Sequence, residues 1–171
     1  MKFEVFFWEA DKTWTCPHHL LIETRYEPVL IFRGCVDDRD SYVPNWREWD
    51  AELRAICPCP APRTHDFLWE HKVFASGGPV TFEQSNRIYY DLNHASTSPL
   101  RRLSSHLRDT FLGVRVSRAR WEALGTSPIP SEWNYLYGNT NAAIRAREDE
   151  CYHITVSPRT RRLSVTPPLL V

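Results

Sequence analysis

The stretch CYHITVSPRTRRLSVT, residues 151–166, carries the clearest fold signal in this sequence. It contains two runs rich in β-branched residues, 151–156 and 162–166, with the turn-forming segment 157–160 between them. Such a pattern predicts a β-hairpin. The two prolines at 167–168 lack the amide donors that would extend the pairing, so the second strand is expected to end there.

Outward from this hairpin, further strands and several short helices are predicted. Strands are expected at 2–8, 28–33, 67–75, 87–92 and 113–117, which are rich in aromatic or β-branched residues. Apolar residues spaced about 3.6 positions apart predict helices at 45–56, 98–111, 117–124 and 141–147. Because the order lacks a regular βαβ alternation, the sequence predicts an α+β fold with a mostly antiparallel sheet and three or four short helices.

Length and composition set the domain organisation. The 171 residues include 42% hydrophobic and 13% aromatic residues, which is ample material for one core, so a single domain over 1–171 is expected. The one compositional break is the proline-rich segment 57–63. Alternating prolines favour an extended, non-helical path, which predicts a rigid connector inside that domain.

Charge and cysteine content limit the classes of partner and compartment. The 21 basic and 21 acidic residues cancel, so net charge does not indicate a nucleic-acid partner. No apolar run reaches the roughly 20 residues of a membrane helix, which predicts no membrane partner. The N-terminus lacks the features of a signal peptide, and the five cysteines are odd in number. We therefore expect a cytoplasmic location and free thiols, with injected or signal-independent export left open.

Thiol and imidazole groups in two segments form a candidate zinc site. The segment Cys16-Pro17-His18-His19, in which Cys16 and His18 are the candidate ligands, ends 38 residues before the Cys57-Pro58-Cys59 segment. Thiolate and imidazole are typical zinc ligands, although this spacing differs from that of a standard zinc knuckle. A small zinc-stabilised interaction domain is therefore one possible interpretation, and a set of unrelated buried thiols is the other.

An arginine, a hydroxyl-rich stretch and a pair of glutamates occur in a suggestive order. Arg33 ends an apolar run, Ser96-Thr97-Ser98 follows 63 residues later, and Glu148 and Glu150 directly precede the strand at 151–156. This set resembles the Arg, Ser-Thr-Ser and Glu-x-Glu pattern of ADP-ribosyltransferases. The resemblance covers about seven residues and the order of the elements.

The resemblance implies a site that uses NAD as substrate. Arg33 would bind the pyrophosphate, and the Ser96, Thr97 and Ser98 stretch would contribute to cofactor binding and orient the catalytic carboxylate. Glu150 would be that carboxylate and would stabilise positive charge on the ribose, whereas Glu148 would direct the substrate. Such an enzyme or toxin would act on a macromolecular target.

The main alternative is a protein-binding module without catalytic activity, such as an inhibitor or immunity protein. Seven tryptophans are too many to be mostly exposed, so most are expected in the core. Some can still form a surface with tyrosine and arginine, the residues that dominate protein interfaces. The segment 131–138, with the sequence SEWNYLYG, is the predicted patch, and its partner is expected to be another protein.

Overall fold

The computed structural model describes residues 7–8, 13–37, 60–95, 115–157 and 163–169. The strands within these ranges are β1 Phe7–Trp8, β2 Thr13–Thr15, β3 His19–Ile22, β4 Val29–Ile31, β5 Val36–Asp37, β6 Cys151–Val156 and β7 Leu163–Thr166. The α-helices are α1 Pro60–His71, α2 Phe82–His94, α3 Arg115–Ala123 and α4 Asn141–Glu150. A 3₁₀ helix covers Ser131–Leu136.

A four-stranded sheet in the order β4-β3-β6-β7 organises this part of the chain. Both hairpins, β3–β4 and β6–β7, are antiparallel, whereas β3 and β6 run parallel. The α+β class is thus confirmed, but the sheet is mixed rather than antiparallel. The chain between β4 and β6 includes several helices, which gives it the length that a parallel connection requires.

The first three strands of this sheet form the buried layer of the molecule. All four residues of β3 and all three of β4 are buried, and Ile154 of β6 joins them. Helices α1 and α2 pack against each other and contribute Phe67, Leu68 and Ile88 to the same core cluster. This continuous apolar strand pattern is typical of a strand covered on both faces.

A second, three-stranded sheet has the order β1-β2-β5 and is antiparallel. Its pairing continues beyond Thr15 and Val36, because the Cys16 amide donates to the Cys35 carbonyl at 2.8 Å. Cys16 and Cys35 are both buried. This link joins the small sheet to the segments that enter β3 and leave β4.

Two predicted strands are helices in the structure. Residues 67–75 were expected to form a strand, but α1 runs to His71; residues 87–92 lie within α2. The aromatic and β-branched residues that suggested strands pack onto the sheet from helices instead. Thr81 and Gln84 form a reciprocal capping box at the start of α2, a helix signal that the aromatic content obscured.

Two further boundaries differ from the predictions. Pro60 and Pro62 lie in the first turn of α1, where a missing amide donor costs no intrahelical hydrogen bond, so residues 60–63 are not an extended connector. Residues 57–59 lie outside the described residues. The predicted strand at 113–117 is wrong for its described part, because α3 begins at Arg115, two residues before the predicted start of the helix at 117–124.

Other predictions agree with the structure. Strand β6 covers the predicted residues, β4 lies inside the predicted segment 28–33, and β7 ends at Thr166. Helix α4 begins at Asn141 as expected and continues to Glu150, with the Thr140 side chain accepting the amide of Ala143. The predicted helices at 45–56 and 98–111 lie outside the described residues, as does most of the strand at 2–8. None of the described helices is long and apolar enough to cross a membrane.

Candidate functional site

Six side chains with functional chemistry gather where β3 and β6 begin and β4 ends. His19 opens β3 and pairs in register with Cys151, which opens β6. Because β4 is antiparallel to β3, the chain leaving β4 brings Arg33 to the same edge. Glu150 ends α4 directly before β6. We use the name edge cluster for one set of six residues: His18, His19, Arg33, Trp133, Tyr135 and Glu150.

His19 is the buried centre of the edge cluster, with 7% of its surface exposed. Its Nδ1 accepts the backbone N–H of Arg33 at 3.0 Å, which assigns the proton of the neutral ring to Nε2. Burial and the positive charge of Arg33 lower the pKa of His19, while the charge of Glu150 partly opposes this effect. Both charged side chains therefore lie close enough to act on one imidazole.

Arg33 is exposed, and its guanidinium lies over the Trp133 ring at 5.3 Å from the centroid. The Trp133 ring also contacts His19 edge-on, with centroids 4.5 Å apart. No carboxylate of a described residue lies within ion-pair distance of Arg33. A stacked arginine keeps its planar fork directed while its N–H groups stay available to an anion.

Tyr135 and Glu150 form the other half of the edge cluster. The Tyr135 hydroxyl donates to Glu150 Oε2 at 2.6 Å. Burial, together with this hydrogen bond and the charge of Glu150, raises the pKa of Tyr135 to about 12. Even so, 48% of the Tyr135 surface is exposed, so a flat apolar face and a carboxylate are both open to solvent.

His18 adds a second imidazole at the same edge. Its pKa is lowered by burial and by the charge of Arg33, and its ring lies 4.9 Å from that of Tyr152. Near neutral pH the edge cluster therefore carries two neutral imidazoles, one cation and one anion. Nδ1 of His19 already accepts the Arg33 amide, and the raised pKa of Tyr135 disfavours loss of its proton, so the imidazole of His18 is the group of this set that can take up a proton from a bound ligand.

Arg147 connects the two helices that carry Trp133, Tyr135 and Glu150. This buried side chain of α4 donates through Nη1 to the carbonyls of Ala75, Leu136 and Gly138 at 2.8–2.9 Å. The contact with Leu136 ties α4 to the 3₁₀ helix that carries Trp133 and Tyr135. Glu150 and Tyr135 thus sit on elements that one buried guanidinium connects.

The structure brings Arg33 and Glu150 to the same edge of the sheet. Glu148 is exposed on α4, about 200° around the helix from Glu150, and makes no recorded contact with the edge cluster. Ser96, Thr97 and Ser98 lie outside the described residues. Ala95, which precedes them, lines a cavity beside the opposite end of β6, so the NAD hypothesis stays untested at this stretch.

The predicted zinc ligands are only partly described. Cys16 is buried and its Sγ donates to the carbonyl of His18 at 3.1 Å, whereas Cys57 and Cys59 lie outside the described residues. Across the described ranges, no group of three or more histidine, cysteine, aspartate or glutamate side chains could hold a metal ion. The zinc prediction is therefore neither confirmed nor contradicted.

The sequence analysis placed Arg33 and Glu150 in one candidate site but assigned the 131–138 segment to a separate, alternative function, whereas the structure places Trp133 and Tyr135 of that segment beside them. His19 was considered only as a neighbour of a zinc ligand, although its place before the apolar run of β3 could have marked it as a residue at a sheet edge. Comparison of this chain with protein-family models, curated proteins and solved structures finds no match.

Proposed function

We propose that the edge cluster binds a dinucleotide of the NAD class and that the chain transfers ADP-ribose to a macromolecular acceptor. One observation carries the proposal: Arg33 and Glu150 lie at the same sheet edge, both close to His19 and Tyr135, without pairing with each other. Unpaired opposite charges that flank an open aromatic face suit a ligand with a phosphate and a ribose.

Arg33 would bind the pyrophosphate of this ligand. The Trp133 ring beneath the guanidinium restricts its orientation, which reduces the entropy lost when the fork engages two phosphate oxygens. The exposed ring of Tyr135 offers a surface on which the nicotinamide can stack.

Glu150 would act on the nicotinamide ribose. In the transfer, the bond between C1′ and the nicotinamide nitrogen breaks, nicotinamide departs with the bonding electrons, and the acceptor nucleophile forms a bond to C1′. A carboxylate that accepts the 2′-hydroxyl proton in a hydrogen bond stabilises the positive charge developing on the ribose. The hydrogen bond from Tyr135 fixes one oxygen of Glu150 and leaves Oε1 for this role. A neutral imidazole of His18 would receive the acceptor proton.

The test is nicotinamide release from NAD by the purified chain, alone and with candidate protein acceptors. We expect Glu150→Gln to lower the rate by roughly 100-fold or more, because the neutral amide cannot balance positive charge on the ribose. Glu122→Gln, which changes an exposed carboxylate of α3 outside the edge cluster, is the matched control. Lack of nicotinamide release by the unaltered chain with every acceptor, or equal rates in both variants, would contradict the proposal.

A second candidate function is binding of another protein through the same surface. The exposed ring of Tyr135 beside the stacked Arg33–Trp133 pair favours it, because these three residue types are enriched among interface hot spots. The two functions differ in their response to Glu150→Gln. Catalysis depends on the carboxylate charge, whereas loss of protein binding is expected to be greatest for Tyr135→Ala.

A further inference from the structure

A cavity of about 670 Å³ lies at the other end of the β3–β6 pair. It forms where the carboxyl ends of these two parallel strands meet helix α2, and its lining comes from segments 23–25, 87–95 and 155–157. Clefts outside the carboxyl ends of parallel strands are frequent ligand sites, and this volume lies in the range of small-molecule pockets. None of the residues predicted to be catalytic lines it.

Two arginines in the cavity lining share one carboxylate. Arg25 contacts Asp91 through Nε at 2.5 Å and Nη2 at 2.9 Å, and Arg87 Nε lies 3.4 Å from Asp91 Oδ1. Asp91 therefore holds both guanidinium groups beside one another while neutralising only one of the two positive charges. Arg25 uses Nε and Nη2 in this contact, which leaves Nη1 for a ligand.

The guanidinium of Arg87 lies over an aromatic ring and, apart from its ion pair with Asp91, makes no polar contact with a described residue. Its guanidinium lies 4.9 Å from the Tyr90 ring, which is itself stacked on His94 at 4.1 Å. The Nε atom of Arg87 is shielded from solvent and lacks a hydrogen-bond partner within the described part of the chain. Because this Nε faces Asp91 and is closed to solvent while the Arg87 side chain is 42% exposed, Nη1 and Nη2 are the donors that Arg87 offers to a ligand in the cavity.

We propose that this cavity binds a phosphorylated sugar, with its phosphate on Arg25 and Arg87. Two adjacent guanidinium groups present several N–H donors to a tetrahedral anion. Glu23 adds a carboxylate to the same lining, which can accept hydrogen bonds from sugar hydroxyls. Phosphate and hydroxyl recognition together select a sugar phosphate over either group alone. This proposal does not depend on the function assigned to the edge cluster.

Isothermal titration calorimetry with ribose 5-phosphate tests the proposal, with free ribose and inorganic phosphate as partial ligands. We expect saturable binding of ribose 5-phosphate and at least 10-fold weaker binding of each partial ligand. Absence of saturable binding in the millimolar range would overturn the proposal. Equal affinity for inorganic phosphate would overturn the sugar assignment.

Variants then locate the site. Arg87→Gln is expected to weaken binding about 10-fold or more, because it removes a charged donor from the phosphate. Arg118→Gln is the matched control, since this exposed arginine of α3 pairs with Glu83 rather than with the cavity. Near-UV circular dichroism checks that both variants fold. Similar affinities of the two variants would contradict the assignment.

Discussion

Arginines stand at both ends of the β3–β6 pair, but different partners hold them. In the cavity, Arg25 and Arg87 are fixed by the carboxylate of Asp91. At the edge cluster, Arg33 lies on Trp133 and has no ion-pair partner among the described residues. The edge cluster is instead organised by buried hydrogen bonds to the backbone. Arginine side chains are thus oriented by an ion pair at one end of the strand pair, and by an aromatic ring on a backbone held by buried hydrogen bonds at the other.

Buried hydrogen bonds to the backbone cost more to remove than exposed ion pairs, because water cannot easily replace the missing donor. The two ends of the sheet should therefore respond very differently to substitution. The edge cluster should lose stability when its buried anchor is removed, whereas the cavity should lose ligand affinity before it loses stability.

The largest effect is expected from Arg147→Met. This change removes the shared donor of the carbonyls of Ala75, Leu136 and Gly138. The Ala75 carbonyl keeps the Gly138 amide at 2.8 Å, but the other two lose this donor, so the free energy of unfolding should fall by about 2 kcal/mol or more. Urea denaturation followed by tryptophan fluorescence measures it. Arg145→Met, at an exposed position of the same helix, should change stability by less than about 0.5 kcal/mol. A similar small loss for Arg147→Met would contradict the anchoring role.

An intermediate effect is expected at Tyr135 when Glu150 becomes Gln. The carboxylate disfavours the tyrosinate, so without it the pKa of Tyr135 should fall from about 12 toward the ordinary value of 10. Burial remains in the variant, so the pKa should stay above that value. NMR of ¹³C-labelled tyrosine across the alkaline range follows the titration. Glu148→Gln is the control with the same change of charge, and an unchanged Tyr135 titration in Glu150→Gln would contradict the contact.

A smaller effect on stability is expected from Asp91→Asn in the cavity. Its ion pairs with Arg25 and Arg87 are half-exposed, so their loss should cost no more than about 1 kcal/mol. The cost should shrink in high salt, because salt screens both the original attraction and the repulsion between the two arginines. Thermal unfolding at two salt concentrations measures this difference. If Asp91→Asn lowered the free energy of unfolding as much as Arg147→Met does, the two ends of the β3–β6 pair would not differ in how substitution affects stability.

The smallest effect is a pH dependence that belongs to the edge cluster. The folded state lowers the pKa of His18 and His19 below the ordinary value of 6.5, so the unfolded chain binds more protons in mildly acidic solution. The stability that the two neutral histidines contribute should therefore be fully present above pH 6.5, and the free energy of unfolding should decrease as the pH falls below it. Urea midpoints at several pH values test this trend. The double variant His18→Gln/His19→Gln should have a flatter profile, and an equally steep one would contradict the assignment.

Local sequence patterns were sufficient where a segment's own residues determine its structure. The alternation of β6 and the start of α4 at Asn141 were predicted because strand and helix signals lie within each segment. The strand prediction around Phe67 was wrong because aromatic residues fit either a strand or a buried helix. Packing of this segment against the sheet favours the helix, and the local sequence does not contain that information.

The candidate sites show the same limit. The order of Arg33 and Glu150 in the sequence suggested a shared site, and the parallel pairing of β3 with β6 places them at one edge. No local pattern could indicate that the Arg33 amide donates to His19, because this contact depends on the antiparallel turn between β3 and β4. The Arg25–Asp91 ion pair could not be predicted from the local sequence either, because the two residues lie 66 positions apart.

The central place of β3 also has a consequence for synthesis of the protein. Its parallel partner β6 begins at position 151, so one side of β3 stays unpaired until the chain up to β6 has emerged from the ribosome. Until then the apolar β3–β4 hairpin presents an unpaired edge with the sequence His-Leu-Leu-Ile. Nascent chains that stall before β6 should be prone to aggregation and should depend on chaperones, whereas chains released after β7 can close the sheet.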